Sequence, residues 1–442
     1  MWYEYLYRVL SIVNYIVLII VALALLPQIL YVLLAFLKKK TFPKSDKKGR
    51  IAYIIPAYNE EDVIYDTVKI VIGGQNYPRD KFDVFVVAHN CTDGTAEAAR
   101  RAGAIVLELN DPDPAHRMAL YPLKYGIDHI INITQNPYDL VIHLDADNHI
   151  NADFSSLMND AYQSGVEFAR PYEGALNSTQ NFYTKACSLF YAFDSRFGSR
   201  VRERLGLAAH VDGSGATMAV SLLKRTGGYD AVTIADDAEY SLNRMLEGVK
   251  AHFVEDAIVY QDSPSTFKDT AARNRRIGHG VMNLMKSRAG QIIKTFFKTG
   301  NMSLLEMFSM YALNFLNVFI CIWFPLFYIY NFLYIGFAGY GYIPLQVWTP
   351  EWYRMVMWNT IIVAAVVLVA LFILFGYVQA FIIVMTDYKK LGAERRSQLL
   401  PAVLLFPAFL ILYMFTLGKG TVSKPKKWDK IKRNKIKRNK IC

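Results

Sequence analysis

At about 150 residues per domain, a chain of 442 residues is too long to be a single small module. With 53% hydrophobic and only 20% charged residues it is not a disordered chain, which needs the opposite balance. The four cysteines (Cys91, Cys187, Cys321, Cys442) form no CxxC pair, which excludes a disulfide framework or a zinc site as the organising feature. The net charge is +11, from 49 basic and 38 acidic residues. Eleven of those basic residues, against one acid, fall from Lys419 onward, so the rest of the chain is nearly neutral.

Residues 5–37 read as one hydrophobic span followed by Lys38, Lys39 and Lys40, which predicts an N-terminal transmembrane helix within 1–40. Charges on that side place the following residues in the cytoplasm. From Ile51 to about Gly280 buried-strand runs (Ile51–Ile55, Phe82–Val87, Leu140–Leu144) alternate with helical stretches (Glu60–Val71, Thr95–Ala102). That alternation predicts an α/β domain over 51–280 built on a parallel sheet, with ligands at the carboxyl ends of its strands. Residues 281–300 carry apolar positions at helical spacing opposite Lys286, Arg288, Lys294 and Lys298. They read either as an amphipathic interfacial helix or as a basic surface helix of the soluble domain. Apolar spans at about 303–337, 358–385 and 398–417 make a C-terminal membrane region over 303–417. Three full crossings would put the basic 419–442 tail outside, against the positive-inside rule, so either the last span, with Pro401 and Pro407, is re-entrant or split, which is the reading preferred, or the tail breaks the rule. The tail holds one aromatic, Trp428, and suits a cytoplasmic lipid surface or plain solvation; it carries no nucleic-acid-binding module.

Three clusters could carry chemistry. Asp145-Ala146-Asp147 follows a buried strand, where two carboxylates can hold Mg²⁺ or Mn²⁺ against a diphosphate. Asp236-Asp237-Ala238-Glu239 opens a helical stretch and offers a general base, or only an acidic helix start. Arg273-Asn274-Arg275-Arg276-Ile277 suits a pyrophosphate, or membrane lipid.

With Ile54-Ile55-Pro56-Ala57-Tyr58-Asn59-Glu60-Glu61, Asn90-Cys91-Thr92-Asp93-Gly94-Thr95 and Asp212-Gly213-Ser214-Gly215, these clusters occur in an order that resembles the family-2 inverting glycosyltransferases. The resemblance implies a GT-A (nucleotide-sugar-binding, Rossmann-like) domain inserted between transmembrane helices, a layout similar to hyaluronan, chitin, cellulose and poly-N-acetylglucosamine synthases. It further implies that Pro56, Ala57, Tyr58 and Glu60, with His89, Asp93 and Arg117, hold the donor nucleotide. Asp145 would contact the nucleotide-sugar and Asp147 would bind Mg²⁺ or Mn²⁺. Gly213, Ser214 and Gly215, with Asp236, would lie beside the acceptor or donor sugar. Asp237 falls on the catalytic base, and Arg276, with Arg273, on the diphosphate clamp.

The chain departs from the family pattern at four places. His89 replaces the usual uracil-reading Asp and is either a base contact or a neutral core histidine. Arg117 is the substitute for a usual lysine, and Ala235 replaces a Thr. Ile277 replaces the Trp on which polymerising relatives stack the acceptor sugar. The resulting expectation is a multi-pass plasma-membrane enzyme with a cytoplasmic catalytic domain. It would transfer a sugar, from a UDP-sugar by the family's habit, into a β-linked polysaccharide, with an accessory export subunit as a conceivable partner. Transfer to a lipid acceptor is the alternative that Ile277 favours. A non-catalytic scaffold is the alternative from another class.

Overall fold

A computed structural model describes residues 2–133, 135–211, 213–339, 362, 366 and 369–422. The basic tail beyond residue 422 and Asp212 lie outside these described residues.

One eight-stranded sheet forms the centre of the chain, in the order β3-β2-β1-β4-β7-β6-β8-β5. Its first half is β1 (Ile51–Ala57), β2 (Phe82–His89), β3 (Ile105–Leu109) and β4 (Leu140–His143), all parallel. The crossovers carry α2 (Glu61–Gly74), α3 (Thr95–Ala102) and α4 (Leu120–Ile131). Ile51 to Ile55 are fully buried, as strands covered on both faces must be.

The second half departs from the expected parallel sheet. β7 (Thr217–Ala219) runs antiparallel to both β4 and β6 (Phe168–Ala175). β6 pairs in parallel with β8 (His252–Gln261), and β5 (His149–Ile150) is antiparallel to β8. This reversal positions the site. Because β7 runs backwards beside β4, the turn that enters it, not the one that leaves it, lies at the carboxyl edge next to Asp145.

Three of the more C-terminal helices of the domain matter here: α5 (Phe154–Gln163), α6 (Phe182–Phe193) and α7 (Arg200–Leu205). Past a short α8 (Val220–Arg225), α9 (Asp236–Leu246) starts at the same carboxyl edge. Helix α10 then runs unbroken from Phe267 to Thr299, capped by the Thr266 hydroxyl at Asp269 N–H, 3.2 Å. Residues 281–300 are therefore the second half of the helix that carries Arg273–Ile277 and not an element of their own. One side of that half is buried against α9 and α11 (Met302–Gly339) through Leu284, Met285 and Ile292, while Phe297 is 80% exposed.

Among the described residues three helices are long and apolar enough to cross a membrane: Val9–Leu34 within α1 (Trp2–Leu34), Val369–Asp387 and Leu400–Thr421. The last belongs to one continuous helix, Leu400–Val422 (here α13, after α12, Gln379–Asp387). This corrects the expectation of a split segment. Pro401 stands in the first turn, where its missing N–H costs nothing, and Pro407 seats against Gly376, where a Cβ would stand 2.7 Å from its ring.

The apolar helices meet the domain through a seam of charges. Lys39 pairs with Asp256 at 2.6 Å, Lys40 with Glu203 at 2.7 Å, Lys390 with Glu255 at 2.8 Å and Arg196 with Asp387 at 2.8 Å. Apolar packing alone tolerates sliding. A shift of one turn here would strand partly buried charges, which is costly, so the seam fixes one register.

Candidate active site

The loops that follow β1 and β2 are stitched together by asparagines. Asn59 and Asn90 take the left-handed backbone, φ 53° and 51°, which Asn tolerates better than other side chains. Asn59 Oδ1 accepts the Thr92 N–H at 2.8 Å, and the Thr95 hydroxyl accepts Glu60 N–H at 2.8 Å. Asn90 donates to the Asp111 carbonyl and accepts the Asp111 N–H, both at 2.8 Å. Pro56 and Ala57 at the end of β1 thus lie beside the Asp93 loop, whose carboxylate accepts Thr95 N–H at 3.1 Å, with Tyr58 49% exposed above them.

His89 ends β2 and is buried, and burial pushes its imidazole pKa down, with Asp111 opposing. Arg117 follows a short turn, Pro114–His116, and is exposed.

The chemistry-bearing carboxylates converge at the ends of β4 and α9. Asp145 follows β4 after Leu144; its backbone N–H bonds Asn148 Oδ1 at 2.8 Å, and its Oδ2 accepts the Ser214 hydroxyl. His143 Nε2 lies 3.8 Å from Asp145 Oδ1, and full burial lowers the imidazole pKa. Asp147 is 9% exposed, with Asn148 Nδ2 at 3.5 Å.

The turn into β7 needs its glycines. Gly213 (φ 88°) and Gly215 (φ 76°) are left-handed, and a Cβ on Gly213 would stand 3.3 Å from Asp237 Oδ2. Gly215 N–H bonds the His143 carbonyl at 2.7 Å, which fastens the turn to β4.

Asp237 Oδ1 accepts the Ala238 N–H at 2.7 Å at the start of α9, where the helix dipole favours a carboxylate. Beside it, burial first and the Asp237 charge second push Asp236 up to about 8; Tyr229 donates to it at 3.4 Å.

An acid whose folded pKa lies above its ordinary 3.8 keeps a proton that the unfolded chain has released. Stability is therefore lost as pH rises from about 4 to about 8, at up to about 1.4 kcal/mol per unit. Asp236→Asn is expected to flatten this slope, with the stability difference between variant and parent growing from pH 5 to pH 8. Thermal unfolding in detergent at three pH values checks it, and parallel slopes would refute it.

Arg276 comes from the third turn of α10. Burial and the neighbouring Arg273 lower its pKa, while Asp237 and Asp145 oppose them, which places its guanidinium in the field of both carboxylates. Two contacts hold it there. A Cβ on Gly280 would stand 2.8 Å from the Ala235 side chain, so the small residue in place of Thr lets α10 approach the start of α9. On the other side Asn274 donates to Thr416 at 2.9 Å, and Gly278 and Gly420 let α10 cross α13 with their backbones in contact.

Arg273, one turn earlier, lies with its guanidinium 4.8 Å from the Tyr191 ring. Its position links α10 to α6. The Asn274–Thr416 bond, the glycine crossing and the Ser214–Asp145 bond were not anticipated from the sequence. Only the glycine and small-residue spacing in 278–280 and 416–420 hints at them.

Among the described residues no group of three or more His, Cys, Asp or Glu could hold a metal by itself. Asp145 and Asp147 fit the other kind of site, in which one or two carboxylates share a hard cation with the substrate's phosphates.

The family model of glycosyl transferase family group 2 matches residues 140–417, and the chain belongs to that family. The probable glycosyltransferase YdaM of Bacillus subtilis (strain 168) is 22% identical over 310 residues, 68% of this chain and 70% of that one. The probable glucomannan 4-beta-mannosyltransferase 4 of Oryza sativa subsp. japonica is 26% identical over 258 residues, 54% of this chain and 44% of that one. Among solved structures, mannosyltransferase PcManGT from Pyrobaculum calidifontis, in complex with GDP-Man and Mn²⁺, superposes with a TM-score of 0.50 at 18% identity. That match covers 88% of this chain and 97% of that one. The curled mixed sheet is accordingly a GT-A-like glycosyltransferase fold.

Proposed function

We propose that the chain is a membrane-embedded, inverting glycosyltransferase that builds a β-linked polysaccharide from a nucleoside-diphosphate sugar. The observation that carries this reading is the convergence of Asp145, Asp237 and Arg276, joined through Ser214 and Gly213. Asp237 takes the proton of the acceptor hydroxyl as its oxygen bonds the anomeric carbon and the bond from that carbon to the diphosphate oxygen breaks. Arg276 faces the charge that develops on the leaving diphosphate. One displacement inverts the α-linked donor. Asp145 and Asp147 would hold Mg²⁺ or Mn²⁺, which supplies charge neutralisation at the diphosphate when bound.

The base of the donor follows less directly. Buried His89 stands in place of the uracil-reading carboxylate that the resemblance implies, so GDP-mannose is offered beside UDP-sugars as donor. The Lys38–Lys40 cluster after the first apolar helix supports a cytoplasmic catalytic domain in the plasma membrane. A lipid acceptor is the second reading, favoured by Ile277 in place of an aromatic platform.

Purified protein in lipid nanodiscs with Mn²⁺ or Mg²⁺, offered labelled UDP-glucose, UDP-N-acetylglucosamine, UDP-glucuronate and GDP-mannose, tests both. High-molecular-weight product is expected, and a chelator is expected to abolish it. A lipid-sized product selects the second reading. Absence of turnover with every donor refutes transfer by this chain alone.

A further inference from the structure

The segment Ala208–Val211 leads from α7 into the Gly213–Gly215 turn, and α11 grips it at two points. The Ser303 hydroxyl accepts the Ala208 N–H at 2.9 Å, and Glu306 Oε2 lies 3.1 Å from His210 Nε2. Glu306 is itself fixed: its Oε1 accepts Arg202 Nε at 2.9 Å and Nη2 at 2.8 Å. Arg202 in turn faces Asp194 at 3.4 Å and stands 5.8 Å over the Tyr31 ring of α1. The opposite side of His210 is held as well, since its carbonyl accepts Arg170 Nη1 at 2.7 Å. Ala208, His210, Ser303 and Arg202 are all buried, so water cannot substitute for these partners without opening the structure.

Only a few residues of chain separate this grip from the chemistry. Gly213 lies against Asp237, and Ser214 donates to Asp145. A displacement of α11 is thus delivered to the turn that spaces the two carboxylates, where misplacement of even about 1 Å is costly to a displacement reaction.

We propose that Glu306 and Ser303 are positioning residues: through His210 and Ala208, apolar helix α11 sets where the Gly213–Gly215 turn holds Asp145 and Asp237 around the transferred sugar. The proposal rests on the transferase reading above for its catalytic consequence and on geometry alone for the seating of the turn. Glu306 and Ser303 touch neither substrate nor the reacting atoms.

The test uses the full chain in nanodiscs with Ser303→Ala and Glu306→Gln, singly and together. Ser303→Ala removes one hydroxyl without unpairing a charge and serves as the milder variant. Amide hydrogen exchange is read at 211–216 against β1 (51–57) and β4 (140–143). Exchange at 211–216 is expected to rise about tenfold in the double variant with the strands unchanged, and Ser303→Thr is expected to retain protection. Transfer is expected to lose about tenfold in kcat with the donor KM held within about twofold. Unchanged exchange, or a rise spread over the whole domain, overturns the proposal. A local rise with parental kcat also overturns it, because the turn's seating would then not matter to transfer. A parent that turns over no donor refutes the transferase reading instead, and exchange still decides how the turn is held.

Discussion

Asp237→Asn is expected to lower sugar transfer by about 10²–10⁴-fold while donor affinity stays within about twofold of the parent. Asn keeps the side-chain volume, and its oxygen can still accept the Ala238 N–H that the carboxylate accepts at 2.7 Å. The start of α9 and the contact with Gly213 therefore survive. What disappears is the ability to take a proton from the acceptor hydroxyl. The neighbouring Asp236 is a poor substitute, because burial, the larger cause of its upward shift, persists when the Asp237 charge is removed. Calorimetric titration of nucleoside diphosphate, beside initial rates of transfer, separates the two effects. Transfer within about tenfold of the parent would remove Asp237 from the base position. Loss of nucleotide affinity would assign it to donor binding.

Much of this geometry was legible before any coordinates. The runs Ile51–Ile55, Phe82–Val87 and Leu140–Leu144 became β1, β2 and β4, and Thr95–Ala102 is α3 residue for residue. Those segments are apolar without interruption because both sheet faces are covered, and that pattern survives in sequence. The second half of the sheet was not legible. β7 is three residues long, and β6 contains Arg170, Pro171 and Glu173, which interrupt any apolar run. Arg170 and Glu173 are nonetheless buried, because they pair with each other at 2.9 Å and Arg170 also pairs with Asp194 at 2.7 Å. A compensated buried pair looks like surface when only the sequence is known.

The same limit applies to the site. Asp145, Asp147, Asp237 and Arg276 stood out by residue type and order. The parts that set their separation are a serine hydroxyl, two left-handed glycines and a helix crossing, and these depend on contacts between segments roughly 70 to 140 residues apart in the chain. The apolar helices show the reverse case. For 398–417 the charge of the following tail argued for a broken segment, and packing against Gly376 accommodates Pro407 within a continuous helix. Likewise nothing between Gly280 and Val281 ends a helix, and periodicity alone could not tell a separate element from the second half of α10.

Arg276→Gln is expected to cost about 10²–10³-fold in kcat, the usual effect of removing one preorganised electrostatic partner from a developing negative charge. Its guanidinium is already largely desolvated beside like-charged Arg273, an unfavourable arrangement in the resting protein that Asp145 and Asp237 offset only in part. An incoming diphosphate adds further countercharge, and the gain is greatest as the leaving group takes up its full charge. Arg276→Lys keeps the charge but loses the planar fork, and is expected to recover only part of the rate.

A purely structural role for Arg276 predicts something different. The α10–α13 crossing depends on Gly278, Gly420 and the Asn274–Thr416 bond, none of which involves the Arg276 side chain, so unfolding temperature should hold in both variants. Product inhibition then discriminates further. A clamp on the leaving group weakens inhibition by the nucleoside diphosphate much more than by the monophosphate, since only the former carries the phosphate that departs with the broken bond. Equal weakening of both would place Arg276 against the nucleoside end of the donor, and would return the diphosphate to Arg273 or Arg117.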